Sequence, residues 1–210
     1  MPLWSWHRPA VAEDRWLVVD VETSGLDAAR DRLLAIAAIA VHADWRARSL
    51  AVRIADSFEV VVRQDAPSPR QNILLHGIGV QRQQQGVPAP EALQSFARFA
   101  GHSPLLAFHA AFDRALIGRH ARAALGAALP NRWLDIEHLC AVTHPQLRAR
   151  SLDEWLGCFH IHCAARHQAI ADTLAECELL LRIWPRMATE CASWRDVERL
   201  AARHRWVARA

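Results

Sequence analysis

The order in which apolar runs of strand and helix character succeed one another constrains this chain most. Three runs of strand character come first, at Trp16–Glu22, Leu33–Val41 and Ser57–Arg63, bounded by loops rich in Asp and Arg. A helical period appears only afterwards, at Glu91–Ala100, where Leu93, Phe96, Ala97 and Ala100 share a face and Pro88-Ala-Pro90 opens the element. From there single strands and helices alternate. Leu105–Phe108 reads as a buried strand, Ala111 to about Leu125 as a helix, Trp133–Ile136 as a short strand running into a helix through Cys140. Ser151 and Glu154 have capping-box spacing ahead of a helix with Trp155 and Leu156; long helices follow from Ala169 to Met187, despite Pro185, and from Ser193 to about Ala208. The segment Asp65–Asn72 reads as a loop, and Ile73–Ile78 as a short apolar piece interrupted by His76. Successive strands pair antiparallel, whereas strands separated by helices return parallel. The pattern therefore predicts an α/β fold: a mixed five-stranded sheet, three antiparallel strands first, flanked by helices.

At 210 residues and 52% hydrophobic, the chain can bury one full core. We expect an N-terminal arm over residues 1–15, a main domain over 16–187 and a C-terminal helical tail over 188–210. No apolar stretch approaches the roughly 20 residues of a membrane span, and the first residues lack a signal-peptide core, so the expected location is cytoplasmic. Five cysteines without a Cys-x-x-Cys pair argue against a disulfide framework and for buried free thiols. The formal charge of +3 is too small to name a partner, but every basic side chain is Arg. Any phosphate contact by a basic side chain would therefore use a planar, bidentate guanidinium.

The first strand ends in Asp20-Val-Glu22. Strand residues two apart point the same way, so both carboxylates face one side of the sheet, and like charges so placed call for a cation between them. The next residues, Thr23-Ser-Gly25-Leu26, make a turn that leaves Leu26 at the rim. Two further acids fall where helices begin: Asp113 after Phe108-His109-Ala-Ala-Phe112, and Asp172 five residues after His167. Asp at a helix N-terminus is favoured by the dipole alone. Four acids from three segments, the first three of them at carboxyl ends of strands, nevertheless suit a site for hard divalent cations.

The runs Asp20-Val-Glu22-Thr-Ser-Gly-Leu26 and His109-Ala-Ala-Phe112-Asp113, with the pair His167…Asp172, resemble the three motifs of the DnaQ-like 3′→5′ exonucleases of the Asp-Glu-Asp-Asp-His type, a family that includes the proofreading epsilon subunit of DNA polymerase III. The resemblance spans about residues 16–182, includes Ile73…His76-Gly77-Ile78, and implies a ribonuclease H-like fold. It further implies that Asp20, Glu22, Asp113 and Asp172 hold two divalent cations, Mg²⁺ or Mn²⁺, with Asp20 bridging, and that His167 is the general base. A second branch of the family uses Tyr four residues before the last Asp; that position is Gln168, and the chain contains no Tyr. Thr23, Leu26, His76, His109 and Phe112 are by resemblance the residues around the terminal nucleotide. The family's second motif usually begins His-Asn, and here Ala110 follows His109, so an amide near the substrate is replaced by a methyl group.

The implied activity is hydrolysis of phosphodiester bonds at single-stranded 3′ ends, DNA favoured over RNA, with release of nucleoside monophosphates. The alternative is a catalytically weak nucleic-acid-binding module on the same fold. A DNA polymerase and a second copy of the chain are the partners such a family brings with it, and a membrane is not expected. Other signals read as structure. His160, His162, Cys163 and His167 lack a second cluster to complete a zinc site. Phe96 and Phe99 fit the apolar stripe of their helix. Arg195, Arg199 and Arg203 form a solvated helix face, and Trp155, Trp184, Trp194 and Trp206 pack the C-terminal helices.

Overall fold

A computed structural model describes residues 14–206. Residues 1–13, most of the expected N-terminal arm, and 207–210, the end of the expected last helix, lie outside the described residues.

Strands β1 (Arg15–Thr23), β2 (Leu33–Asp44) and β3 (Ser49–Val61) form an antiparallel meander. Strands β4 (Leu105–Ala107) and β5 (Trp133–Asp135) join it in parallel, giving the order β3-β2-β1-β4-β5. Around the sheet lie α1 (Arg70–His76), α2 (Val80–Gln84), α3 (Ala89–Ala100), α4 (Ala111–Leu125), α5 (Ile136–Thr143), α6 (Leu152–Cys158), α7 (Ala169–Glu190) and α8 (Trp194–Ala202), with a 3₁₀ turn at Arg203–Trp206.

Alternation along β1 sorts its side chains between two cores. Leu17, Val19 and Val21 pack with Phe96, Leu116 and Ile117, on the side of α3 and α4. Trp16 and Val18 face the other way, into a larger core with residues of α5, α7 and α8. Trp16 stands 5.7, 5.9 and 5.1 Å from the rings of Trp45, Trp184 and Trp194, contacts worth about 0.5–1.5 kcal/mol each beyond area burial. Asp20 and Glu22 continue that second row past the end of the apolar core. A register shift between Glu22 and Thr23 then ends the regular pairing with β2.

Several expectations need correction. The third strand begins at Ser49, eight residues before the expected start, and its added part pairs with the second half of β2, from Ala40 to Asp44; a bulge opposite Ile39/Ala40 divides the strand in two. It is an edge strand, where polar residues such as Arg53 and Asp56 face water and mask the strand pattern. Helix α1 begins inside the expected loop, at Arg70, directly after Pro69, and α2 had no counterpart in the expectation. Trp206 is 78% exposed, with the Arg205 guanidinium over its ring at 5.3 Å, so it does not pack the C-terminal helices, whereas Trp155, Trp184 and Trp194 are buried. The last helix gives way to the 3₁₀ turn after Ala202. Its face does carry ion pairs, Arg199 with Asp196 and Arg203 with Glu190. The cysteines are free, with Cys140, Cys177 and Cys191 buried, Cys163 half-buried and Cys158 exposed.

Candidate functional site

The four acids singled out in the sequence reach the same end of the sheet. Asp20 and Glu22 come from the end of β1, Asp113 from the first turn of α4, and Asp172 from the first turn of α7. Parallel pairing of β4 beside β1 delivers the α4 N-terminus, and packing of α7 across β1 and β2 delivers its own.

Electrostatics bind the four into one group. Burial first, then the Asp172 carboxylate, push Asp20 up to about 8. Glu22 reaches about 9 through burial and then the charges of Asp20 and Asp172. Asp113 is raised well above its usual range by burial, then by Asp20, with Asp135 adding a smaller push. Each of these acids is therefore held back from ionising, a resistance that a cation beside it would relieve. Among the described residues, the one trio of candidate ligand atoms lying within 4.8 Å of one another is elsewhere, at Glu137, His138 and His204. The acids around Asp20 are spread more widely.

Two further residues belong to this group. Glu176, one turn after Asp172 on α7, is 2% exposed. Burial and then Asp20, Asp113 and Asp172 raise its pKa strongly; the Phe108 N–H donates to its carboxylate, while Oε2 has no hydrogen-bond partner. Its signal in the sequence is an acid at a position of the α7 stripe that otherwise holds Ala169, Thr173, Leu180 and Ile183. Arg166 forms ion pairs with Asp172 and Asp153, placing a guanidinium against the acid group. Nothing local in the sequence announces that pair. Cys163 adds a thiol 3.3 Å from Asp172 Oδ1.

His167 is exposed and has a left-handed backbone, φ 63°, and its N–H donates to Asp172 Oδ2 at 2.9 Å. His109 is also exposed and left-handed, φ 60°; its N–H donates to Asp135 Oδ1 at 3.1 Å, and its ring lies 4.6 Å from that of Phe108. Non-glycine residues take this conformation rarely, so two imidazoles beside the acids both stand on constrained backbone. Ala110, at the α4 N-cap, is buried and supplies no side-chain cap.

Leu26 is 92% exposed. The turn carrying it is tied: Ser24 Oγ donates to Asp31 Oδ1 at 2.9 Å, the Asp27 N–H to Asp31 Oδ2 at 2.8 Å, and Arg119 reaches the Ala28 carbonyl at 2.9 Å. A Cβ on Gly25 would lie 2.5 Å from Asp31 Oδ2, so any larger residue would push that carboxylate off its hydrogen bonds to Ser24 and Asp27. Thr23 is buried, and Asn72 donates to its carbonyl at 2.9 Å. His76, 2% exposed, is committed to the protein: the Ile78 N–H donates to Nδ1 and Nε2 pairs with Asn72 Oδ1, both at 2.9 Å. Phe112 is half-buried against the core of α3 and α4. Of Thr23, Leu26, His76, His109 and Phe112, Leu26 and His109 alone are exposed.

A sequence profile of the RNase T family, described as Exonuclease, matches residues 17–180. The chain is 27% identical over 191 residues to a DNA polymerase III PolC-type protein of Bacillus subtilis, covering 90% of this chain and 13% of that protein. It is 30% identical over 174 residues to a DNA polymerase III subunit epsilon-like protein of Rhodobacter capsulatus, covering 81% of this chain and 24% of that one. Among solved structures, E. coli exonuclease I in complex with a dT13 oligonucleotide superposes with a TM-score of 0.66 at 17% identity, over 83% of this chain and 42% of the other. The chain therefore spans a minor part of the length of these relatives. With the ribonuclease H-like sheet, the acids at its end and the profile match over most of its length, the chain belongs to the DnaQ-like exonuclease family.

Proposed function

We propose that this protein is a divalent-cation-dependent 3′→5′ exonuclease of the Asp-Glu-Asp-Asp-His type, acting on single-stranded 3′ ends and releasing nucleoside monophosphates. The observation that carries the reading is the convergence of Asp20, Glu22, Asp113 and Asp172 from three segments into one mutually repelling, half-enclosed group.

The donor set fits hard cations: it offers carboxylate oxygens whose ionisation burial and mutual repulsion oppose, and the Glu176 Oε2 behind them is buried without a partner. Asp20, Glu22, Asp113 and Asp172 would hold the cations, with Asp20, which feels Asp172 and acts on Glu22 and Asp113, as the acid common to the group. Two cations such as Mg²⁺ or Mn²⁺, when bound, supply an acidified water, neutralise the phosphate and stabilise the departing 3′ oxygen. His167 would accept the proton of the attacking water, a task open to an exposed imidazole beside the acids. The hydrogen bond from its backbone to Asp172 fixes the loop relative to the acids. Leu26 would press against the terminal base, with His109 and Phe112 beside the strand. Thr23 and His76 would act through the backbone they hold, His76 by orienting Asn72 toward the Thr23 carbonyl.

DNA is the favoured substrate, because the relatives are named as DNA polymerase III proteins and exonuclease I is held with a dT13 oligonucleotide. No helix among the described residues is long and apolar enough to cross a membrane. A polymerase and a second copy of this chain remain the proposed partners, and the cytoplasm the proposed location. Incubation of matched DNA and RNA strands carrying a 3′-terminal label, with Mg²⁺ and with EDTA, tests the proposal. Label should leave as mononucleotide, from DNA faster than RNA, and EDTA should abolish release. No release from either strand with Mg²⁺ or Mn²⁺ would leave a nucleic-acid-binding module on an exonuclease fold.

A further inference from the structure

We propose a second metal site, outside the acid group, in which Glu137, His138 and His204 bind a borderline transition cation such as Zn²⁺. The inference does not rest on the nuclease reading.

Glu137 and His138 lie on the first turn of α5, and His204 on the 3₁₀ turn that follows α8. Glu137 Oε2 stands 3.6 Å from His204 Nε2 and 3.9 Å from His138 Nε2, and ligand atoms of all three fall within 4.8 Å of one another. Bonds of about 2.0–2.1 Å in a tetrahedral site hold donor atoms roughly 3.4 Å apart, so the two Glu137 distances need to close by only about 0.2 and 0.5 Å, and the imidazole nitrogens must draw together as well. The two imidazole rings are stacked, centroids 3.9 Å apart and planes 16° from parallel. Parallel rings cannot both aim their lone pairs at one ion, so one must turn about its Cβ–Cγ bond. That torsion is broad for histidine. His138 is the ring with room to turn, its side chain being 39% exposed against 9% for His204.

The donor chemistry separates this site from the acid group. Two imidazole nitrogens and one carboxylate favour Zn²⁺ and its neighbours, whereas all-carboxylate groups favour Mg²⁺ and Mn²⁺. Three protein ligands leave a fourth position, and the trio lines a cavity of about 650 Å³ through which water or an anion reaches it. Arg148 and Arg150 line the same cavity, which suits an anionic fourth ligand. A bound ion would fasten the 3₁₀ turn to α5. The N-cap of α5 is Asp135, whose Oδ1 also accepts the His109 N–H, so the clamp would sit next to the turn that opens α4.

Cobalt is the probe, because Co²⁺ with nitrogen ligands in a four- or five-coordinate site absorbs strongly in the visible. The titration uses the full chain carrying Asp20→Asn and Asp113→Asn, which takes two carboxylates out of the acid group, after stripping with EDTA. One equivalent of Co²⁺ should bind with intense visible bands, Zn²⁺ should displace it, and excess Mg²⁺ should not. Adding His138→Ala, or separately Glu137→Gln, should weaken binding beyond the roughly 10–100-fold that loss of an outer-shell partner costs. Equal melting temperatures in EDTA verify that both variants fold; His138 is partly exposed and Gln preserves the shape of Glu. Absence of such bands in the parent, their loss to excess Mg²⁺, or unchanged affinity in a folded variant would overturn the proposal.

Discussion

Without bound metal, the acid group should be a source of instability that one neutral substitution relieves, and Glu22→Gln gives the cleanest reading. The folded-state pKa of Glu22 lies at about 9 against an ordinary 4.5, raised by burial and by Asp20 and Asp172. A raised carboxylate keeps its proton in the folded chain while the unfolded chain loses it. The folded state then binds more protons, and stability falls as pH rises between the two values. At pH 8 the penalty spans 3.5 units above the unfolded value, or about 5 kcal/mol at 1.36 kcal/mol per unit. At pH 5 the same reckoning leaves about 0.7 kcal/mol. Gln cannot ionise, so it should remove the pH-dependent part. Relaxation and loss of the Ala169 N–H contact to the carboxylate reduce the gain, and we expect about 2–4 kcal/mol at pH 8. Urea unfolding in EDTA at pH 5 and pH 8 measures this, with wild type and variant converging at the lower pH. An equal effect at both pH values, or destabilisation at pH 8, would refute the electrostatic account of the group.

Replacing His167 by Ala should lower turnover by about 10²–10⁴-fold with little change in metal affinity, as removal of a general base does; single-turnover kinetics beside calorimetry would check the split. Arg166→Gln removes a guanidinium that pairs with Asp172, and should tighten divalent-cation binding by about tenfold, the size of a one-unit pKa effect. Weaker binding would instead make Arg166 a support for the acid group. Leu26→Ala should leave the melting temperature unchanged, since the side chain is 92% exposed. If Leu26 contacts the strand, losing about 1.5 kcal/mol of burial raises KM roughly tenfold, measurable by steady-state titration of a short oligonucleotide.

The fold was legible where both faces of a strand are apolar. β2 is buried over its first nine residues, and nothing but a strand of that composition fits between two covered faces. The half of β3 from Ser49 to Asp56 was not legible, because Arg15 pairs with Asp56 at 2.8 Å on the exposed edge, and such alternation of charge and methyl groups reads as loop. Helix α1 was hidden by Pro69, read as part of a loop although its fixed φ also serves a helix start. Within the site, the four acids carried their own signal in motif spacing. Glu176 and Arg166 did not, since their roles arise from charges that only tertiary packing brings near. Trp206 shows the converse: an amphipathic pattern predicted burial, and the chain leaves regular helix before reaching it.

The proposed activity requires that the acids at the end of β1 hold divalent cations. Calorimetric titration of the EDTA-stripped protein with Mn²⁺, run beside Asp20→Asn and His167→Ala, tests this directly. Two equivalents should bind to the wild type and to the His167 variant, and the Asp20 variant should lose that binding. Unaltered Mn²⁺ binding in the Asp20 variant would contradict the assignment of the metal site.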